Sequence, residues 1–66
     1  MIKAKLEVKV PFHKFKIIGD YYELHEIHNK IYQDNPPTYL EITPLHYPTL
    51  ITVQTDTIRW ASLTLV

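Results

Sequence analysis

The chain has 66 residues and no cysteine, and its seven basic and seven acidic side chains give a formal charge of zero. One small domain is therefore expected over residues 1–66, with a hydrophobic core and with neither disulfides nor thiolate zinc sites. A core of this size is close to the lower limit for a stable fold, so self-association is expected to add stability. The neutral total charge argues against a protein that binds nucleic acid over its whole surface.

The first ten residues alternate lysine with aliphatic side chains and lack the apolar segment of a secretory signal. No apolar run approaches the length that crosses a membrane. These features predict a protein of the reducing cytoplasm that makes no membrane contact.

The charges are segregated along the chain. Residues 1–18 contain five lysines and one carboxylate, whereas residues 20–41 contain five carboxylates and one lysine. Two such halves could meet head to tail between molecules, or they could lie on neighbouring elements of one molecule. The second interpretation is favoured, because ion pairs at a surface contribute little free energy.

The amino-terminal residues carry the clearest secondary-structure signal. From Ile2 to Val10, apolar and charged residues alternate with the period of a strand that buries one face. Pro11 is expected to end this strand, because proline lacks the backbone donor that a sheet needs. A short second strand is predicted around Phe15 and Ile17, which alternate with lysines.

A helix is predicted from residue 21 to residue 33. Asp20 and Glu23 have the spacing of a capping box, in which the first side chain accepts a hydrogen bond from a free N–H of the first turn. The prolines at 36 and 37 prevent the helix from continuing. Its apolar face is formed by residues that recur at steps of three and four, namely Leu24, Ile27, His28 and Ile31.

Three more strands are predicted in the second half of the chain. Residues 38–43 and 49–54 are expected to be antiparallel neighbours, and a tight turn at 55–56 leads into a last strand over 57–66. The order β(β)αβββ predicts an α+β fold, with one helix packed on a small, mostly antiparallel sheet of four or five strands. A small curled β-barrel with an inserted helix is the alternative.

The last predicted strand has an irregular pattern. Ile58 and Trp60 are out of phase with Leu63 and Leu65, so they would face opposite sides of a regular strand. A β-bulge near residues 61–62 is predicted to restore the phase.

The sequence His-Glu-Ile-His inside the helix raises the question of a metal site. On a helical wheel Glu26 points away from His25 and His28, and the zinc-protease motif needs histidines four residues apart. The other histidines, His13 and His46, fall in separate loops, whereas zinc needs three or four protein ligands. No metal site and no cofactor are therefore predicted, and His28 is interpreted as a half-buried residue at the edge of the core.

The two helical histidines belong to a strip of side chains with apolar rings and polar tips. We call it the helix strip, and it consists of Tyr21, His25, His28 and Tyr32. It suits either the line where the helix meets its own sheet, which is favoured, or an interface with a partner. Arg59 and Trp60 form a second candidate contact, because Trp and Arg are common anchors of protein interfaces.

The functional prediction follows from what the chain contains. It has no cysteine nucleophile, no Gly-x-Ser-x-Gly motif and only one glycine, so a non-catalytic protein is predicted. The favoured function is a small binding or regulatory protein that acts through protein–protein contacts, including self-association, at the helix strip or at Arg59 and Trp60. By association alone, its size and composition suggest an accessory protein of a virus or mobile element.

The alternative prediction is a nucleic-acid-binding module. Its phosphate contacts would come from the lysines of the first two strands, Lys3, Lys5, Lys9, Lys14 and Lys16. The same surface would include His13, Phe12, Arg59 and Trp60, of which an exposed aromatic side chain could stack on a base. Alternating lysines are also typical of an ordinary solvated strand, and that interpretation is favoured from the sequence.

Overall fold

The fold contains two antiparallel sheets and one α-helix that share a core. The computed structural model describes all 66 residues. Its elements are β1 (Lys3–Val10), β2 (His13–Asp20), α1 (Tyr21–Tyr32), β3 (Tyr39–Ile42), β4 (Ile51–Gln54), a 3₁₀ turn (Thr55–Thr57) and β5 (Trp60–Leu65). The α+β prediction is confirmed, with one helix and five antiparallel strands and no closed barrel. The strands divide between two sheets, with the orders β2-β1-β5 and β3-β4.

Strand β1 is the central strand of the first sheet. It pairs with β2 along its whole length and with β5 from Ala4 to Lys9. Leu6 and Val8 are the largest fully buried side chains, and they lie on the face that helix α1 covers. Ile2 was predicted to share this face, but it precedes the strand and is half exposed.

Helix α1 has the predicted capping interaction. Asp20 is the N-cap, and its carboxylate accepts a hydrogen bond from the N–H of Glu23 at 3.4 Å. Leu24 is buried in the middle of the apolar face. The helix ends at Tyr32, one residue earlier than predicted and well before the prolines. The chain contains no helix with the length and apolarity needed to span a bilayer.

The second sheet contributes Ile42 and Val53 to the same core. Its two strands pair antiparallel, as predicted, although each has only four residues. The loop between them returns to the first sheet, where the N–H of Leu45 donates to the carbonyl of Lys16 at 2.6 Å. This hydrogen bond covers part of the outer edge of β2.

The predicted bulge at residues 61–62 is wrong. Strand β5 pairs with β1 without interruption from Trp60 to Leu65, so the phase does not change inside the strand. The apolar pattern changes phase before β5, in the extended residues that follow the 3₁₀ turn. Ile58, in this segment, packs on the core. Residues 55–56 belong to this turn, which connects two different sheets and therefore does not close a hairpin.

Tyr32 attaches the end of helix α1 to strand β5. Its hydroxyl donates to the carbonyl of Ala61 at 3.1 Å and accepts from the N–H of the same residue at 2.9 Å. Both groups of Ala61 therefore point away from β1 and would otherwise lack a partner in the sheet. One side chain satisfies both of them.

Tyr32→Phe is expected to lower the free energy of unfolding by about 1–2 kcal/mol, because it leaves a partly buried donor and acceptor without a partner. Tyr22→Phe is the matched control, since Tyr22 is exposed and makes no hydrogen bond through its hydroxyl. The control is expected to change stability by less than about 0.5 kcal/mol. Urea unfolding of both variants checks this, and equal losses would contradict the role given to the Tyr32 hydroxyl.

Candidate functional site

All five lysines of β1 and β2 lie on one face of the first sheet. Side chains alternate along a strand, so the charged residues of β1 point away from the buried face that α1 covers. The register places residues of β2 and β5 beside them on the same side. We call this surface the lysine face, and it consists of Lys3, Lys5, Glu7, Lys9, Lys14, Lys16, Ile18, Asp20, Trp60, Ser62 and Thr64.

The lysine face has an excess of positive charge. Its five ammonium groups meet only two carboxylates, those of Glu7 and Asp20. Glu7 pairs with Lys14 at 3.1 Å and with Lys5 at 3.5 Å. Chiefly because Lys14 donates a hydrogen bond to it, the pKa of Glu7 lies below its ordinary value. The other three lysines form no ion pair within 4 Å.

One row across this face has no negative charge. The register places Lys9 of β1 between Lys14 of β2 and Trp60 of β5. Like charges that face each other across neighbouring strands are unfavourable, and only Lys14 of this pair is compensated, by its ion pair with Glu7. A bound anion would reduce the remaining repulsion.

Two exposed aromatic side chains lie in the row or close to it in the chain. Trp60 lies at its β5 end and is 42% exposed. Phe12 lies at the tip of the β1–β2 hairpin, where its side chain is fully exposed. The φ angle of Phe12 is 69°, in the left-handed region that favours glycine. Phe12 thus has a strained backbone conformation, and its ring makes no packing contact that would compensate for the strain.

A small cleft adjoins Trp60 at the edge of the lysine face. Its volume is about 170 Å³, and Tyr32, Arg59 and Trp60 are among its lining residues. Thr55 also lines it, and the buried hydroxyl of that residue has no hydrogen-bond partner. Pockets that hold small-molecule ligands usually begin at roughly 300 Å³, so this cleft is smaller than a typical ligand site.

The largest cleft lies elsewhere, between α1 and β3, with a volume of about 620 Å³. Lys30 and Glu41 are its only ionisable residues apart from Tyr39. It brings together no nucleophile and base of the kind that covalent catalysis needs.

The residues of the helix strip do lie together. Tyr21 stacks on His25 with ring centroids 5.5 Å apart, and His28 contacts Tyr32 at 4.8 Å. Both histidines are half buried. Because the hydroxyl of Tyr32 reaches Ala61, the last residue of the strip lies where the helix meets β5.

The four histidines do not converge. His13 shares a hydrogen bond of 3.3 Å with the hydroxyl of Tyr47. It contacts neither His25 nor His28 of the helix through this bond. His46 lies in the loop after β3 with a φ angle of 70°. No group of three His, Asp or Glu side chains has the geometry to hold a metal ion. The predicted absence of a metal or cofactor stays a prediction.

The chain was compared with known proteins at three levels. Models of protein families, curated proteins and solved structures all give no significant match. The function must therefore be inferred from the geometry of the surfaces described above.

Two features of the site were not predicted. The left-handed backbone of Phe12 was not predicted, although a Pro-Phe pair between two strands places a bulky residue where turns commonly need glycine. The cleft beside Trp60 had no sequence signal, because residues from the helix, the 3₁₀ turn and β5 form it together.

Proposed function

We propose that the protein is a non-catalytic binding module whose lysine face binds single-stranded nucleic acid. The observation that carries the proposal is the row formed by Lys14, Lys9 and Trp60, together with the exposed ring of Phe12 in the adjacent β1–β2 turn. Lysines of this row contact phosphates, and the two aromatic rings stack on bases. Such a combination of a positive surface and stacking side chains is typical of proteins that bind single strands.

The chemistry of the row favours nucleic acid over an acidic peptide. A single strand alternates phosphates with planar bases, which matches lysines together with two exposed aromatic rings. The helix on the opposite side carries the exposed carboxylates of Glu23 and Glu26. A polyanion is repelled from that side, so a neutral protein can still bind it through one face.

Protein–protein contact remains a second proposed function. It was the first prediction from the sequence, with the helix strip, Arg59 and Trp60 as candidate contacts and self-association as one form. The rings of the helix strip contact each other in pairs, so part of their surface is already covered within the protein. The observation that favours this function is a free sheet edge beside the strip, and the partner that it fits is considered below.

Phe12→Gly tests the proposed function directly. Glycine adopts a positive φ without strain, so the free energy of unfolding is expected to stay the same or to rise slightly. The loss of one stacking ring is expected to weaken oligonucleotide binding by about 1–3 kcal/mol, which is roughly 5- to 160-fold. Fluorescence of the single tryptophan, titrated with oligothymidine, measures the affinity.

Phe12→Tyr is the control for this experiment, because it keeps an aromatic ring on the same strained backbone. It is expected to bind the oligonucleotide as the original protein does. Equal affinity of Phe12→Gly and Phe12→Tyr would show that the ring at position 12 does not stack on a base.

Glu7→Gln is expected to strengthen oligonucleotide binding, because it removes a carboxylate from the lysine face and releases Lys5 for a further phosphate contact. One additional phosphate contact at 0.1 M salt corresponds to about a fivefold gain in affinity. Glu26→Gln makes the same charge change on the opposite side of the protein and is expected to have little effect. The two variants would have equal affinities if only the net charge mattered.

The same carboxylate makes stability depend on pH in the acid range. Since the pKa of Glu7 is lowered by folding, its ion pairs stabilise the protein at neutral pH and are lost as the pH falls through the lowered value. The original protein therefore loses this contribution in acid, whereas Glu7→Gln lacks it throughout.

A further inference from the structure

The outer edge of β5 is open over its second half. Strand β5 has only one neighbour in the sheet, β1. The N–H and carbonyl of Ala61 point outward to Tyr32, and successive residues of an antiparallel strand alternate in this direction. Leu63 and Leu65 therefore also direct their N–H and carbonyl groups outward. The N–H of Val66 points the other way, to the carbonyl of Lys3.

The two edges of the first sheet differ. The edge at β2 carries Lys14 and Lys16 and is partly covered by the hydrogen bond from Leu45. Charged residues and proline usually keep an edge strand from pairing with another chain. Strand β5 contains neither. Leu65 is 65% exposed and Val66 is 76% exposed. The β5 edge is thus an apolar, unpaired template for another strand.

We infer that a second copy of this chain pairs with the open edge, so that β5 and its symmetry mate form a continuous antiparallel sheet. Identical strands can pair about a twofold axis only if no like charges face each other, and β5 is uncharged. A partner strand with acidic or basic residues would find no opposite charge on β5 to pair with. The uncharged edge therefore fits its own copy.

The Tyr32 hydroxyl determines the register. It occupies the outward groups of Ala61, so only Leu63 and Leu65 remain available. Both are used when Leu63 of one copy faces Leu65 of the other, which gives four hydrogen bonds and places Thr64 on the twofold axis. The two Thr64 side chains then lie side by side on the lysine face.

One end of the helix strip borders the proposed interface. Helix α1 follows directly on β2 and packs on all three strands of the first sheet. It ends at Tyr32, whose hydroxyl bonds to the outward groups of Ala61. Tyr32 therefore lies beside the edge to which the second copy binds.

Pairing about this axis keeps both lysine faces on one side of the sheet. The dimer then presents ten lysines on a continuous six-stranded surface. The inference does not depend on nucleic-acid binding, because the dimer could form without it and a monomer could bind through its own lysine face.

Cysteine cross-linking tests the register, since the chain has no cysteine of its own. Residues that face each other at a pair without hydrogen bonds have Cα atoms about 4.5 Å apart, within the range of a disulfide. Thr64→Cys is therefore expected to form a disulfide-linked dimer under mild oxidation. Ser62→Cys is the matched control on the same strand and face, and it is expected to remain monomeric on denaturing gels.

The mass in solution tests the dimer itself. Light scattering of the original protein is expected to give twice the chain mass of 7.8 kDa. Leu65→Pro removes one outward donor without removing a hydrogen bond to β1, so it is expected to give a folded monomer by light scattering and circular dichroism. A monomeric original protein, or cross-linking of Ser62→Cys as fast as that of Thr64→Cys, would overturn the inference.

Discussion

Replacement of Leu6 by alanine is expected to remove most of the stability of the fold. Leu6 has no exposed surface and lies in the middle of β1, between Ile17 of β2 and Leu63 of β5. A buried Leu→Ala change costs about 2–5 kcal/mol, because it loses apolar burial and leaves a cavity. Domains of this size have a core that supplies about 3–5 kcal/mol. The loss is therefore comparable with the whole stability.

Leu50→Ala is the matched control for this change, because Leu50 is half exposed in the loop before β4. It is expected to shift stability by less than about 1 kcal/mol. Urea unfolding followed by circular dichroism measures both variants. Similar midpoints for the two would contradict the central position of β1 in the core.

The double variant Lys9→Ala, Lys14→Ala is expected to have the largest effect on nucleic-acid binding. These residues face each other in the row that has no carboxylate. Loss of two phosphate contacts reduces the affinity for a single strand by about 25-fold at 0.1 M salt and makes the salt dependence shallower by about 1.4 in the logarithmic slope. Oligothymidine titrations at several salt concentrations measure both quantities.

Lys30→Ala is the control, because Lys30 is an exposed lysine on helix α1, away from the lysine face. It is expected to change neither the affinity nor the slope. The double variant is expected to remain folded, because it loses the surface ion pair of Lys14 with Glu7 but also loses the repulsion between the two lysines. An equal effect of Lys30→Ala would indicate nonspecific attraction and would exclude binding by the row.

Much of the fold follows from local patterns in the sequence. The alternation from Ala4 to Val10 predicts the central strand, and Asp20 with Glu23 predicts the start of the helix. Both signals are local, because they depend on side-chain period and on one capping hydrogen bond. Such features are determined by neighbours in the chain and need no knowledge of tertiary packing.

The division into two sheets and the start of β5 depend on tertiary packing. Ile58 and Trp60 form an apparent strand pattern with their neighbours, but Ile58 is buried by the core before the strand begins. A 3₁₀ turn carries the chain from one sheet to the other. The period of apolar residues alone cannot locate the point where the chain passes from the second sheet to β5. Ile58 and Trp60 are both apolar, although only Trp60 belongs to the strand.

The candidate site could be predicted only in part. The lysines of β1 share a face by their own alternation, but the addition of Lys14 and Lys16 depends on the hairpin register, and that of Trp60 depends on pairing with β5. The exposure of Trp60 and the strain at Phe12 are properties of the folded chain. The lysines of β1 become part of a candidate binding surface only with the neighbouring strands and the two exposed aromatic rings in place.

Oligothymidine binding by the original protein as a function of salt is the most direct measurement of nucleic-acid recognition by the lysine face. Each phosphate contact contributes about 0.7 to the logarithmic slope for a single strand. Three to five engaged lysines therefore predict a slope between about −2 and −3.5. No detectable binding at low salt, or an affinity that does not change with salt, would contradict the proposed function.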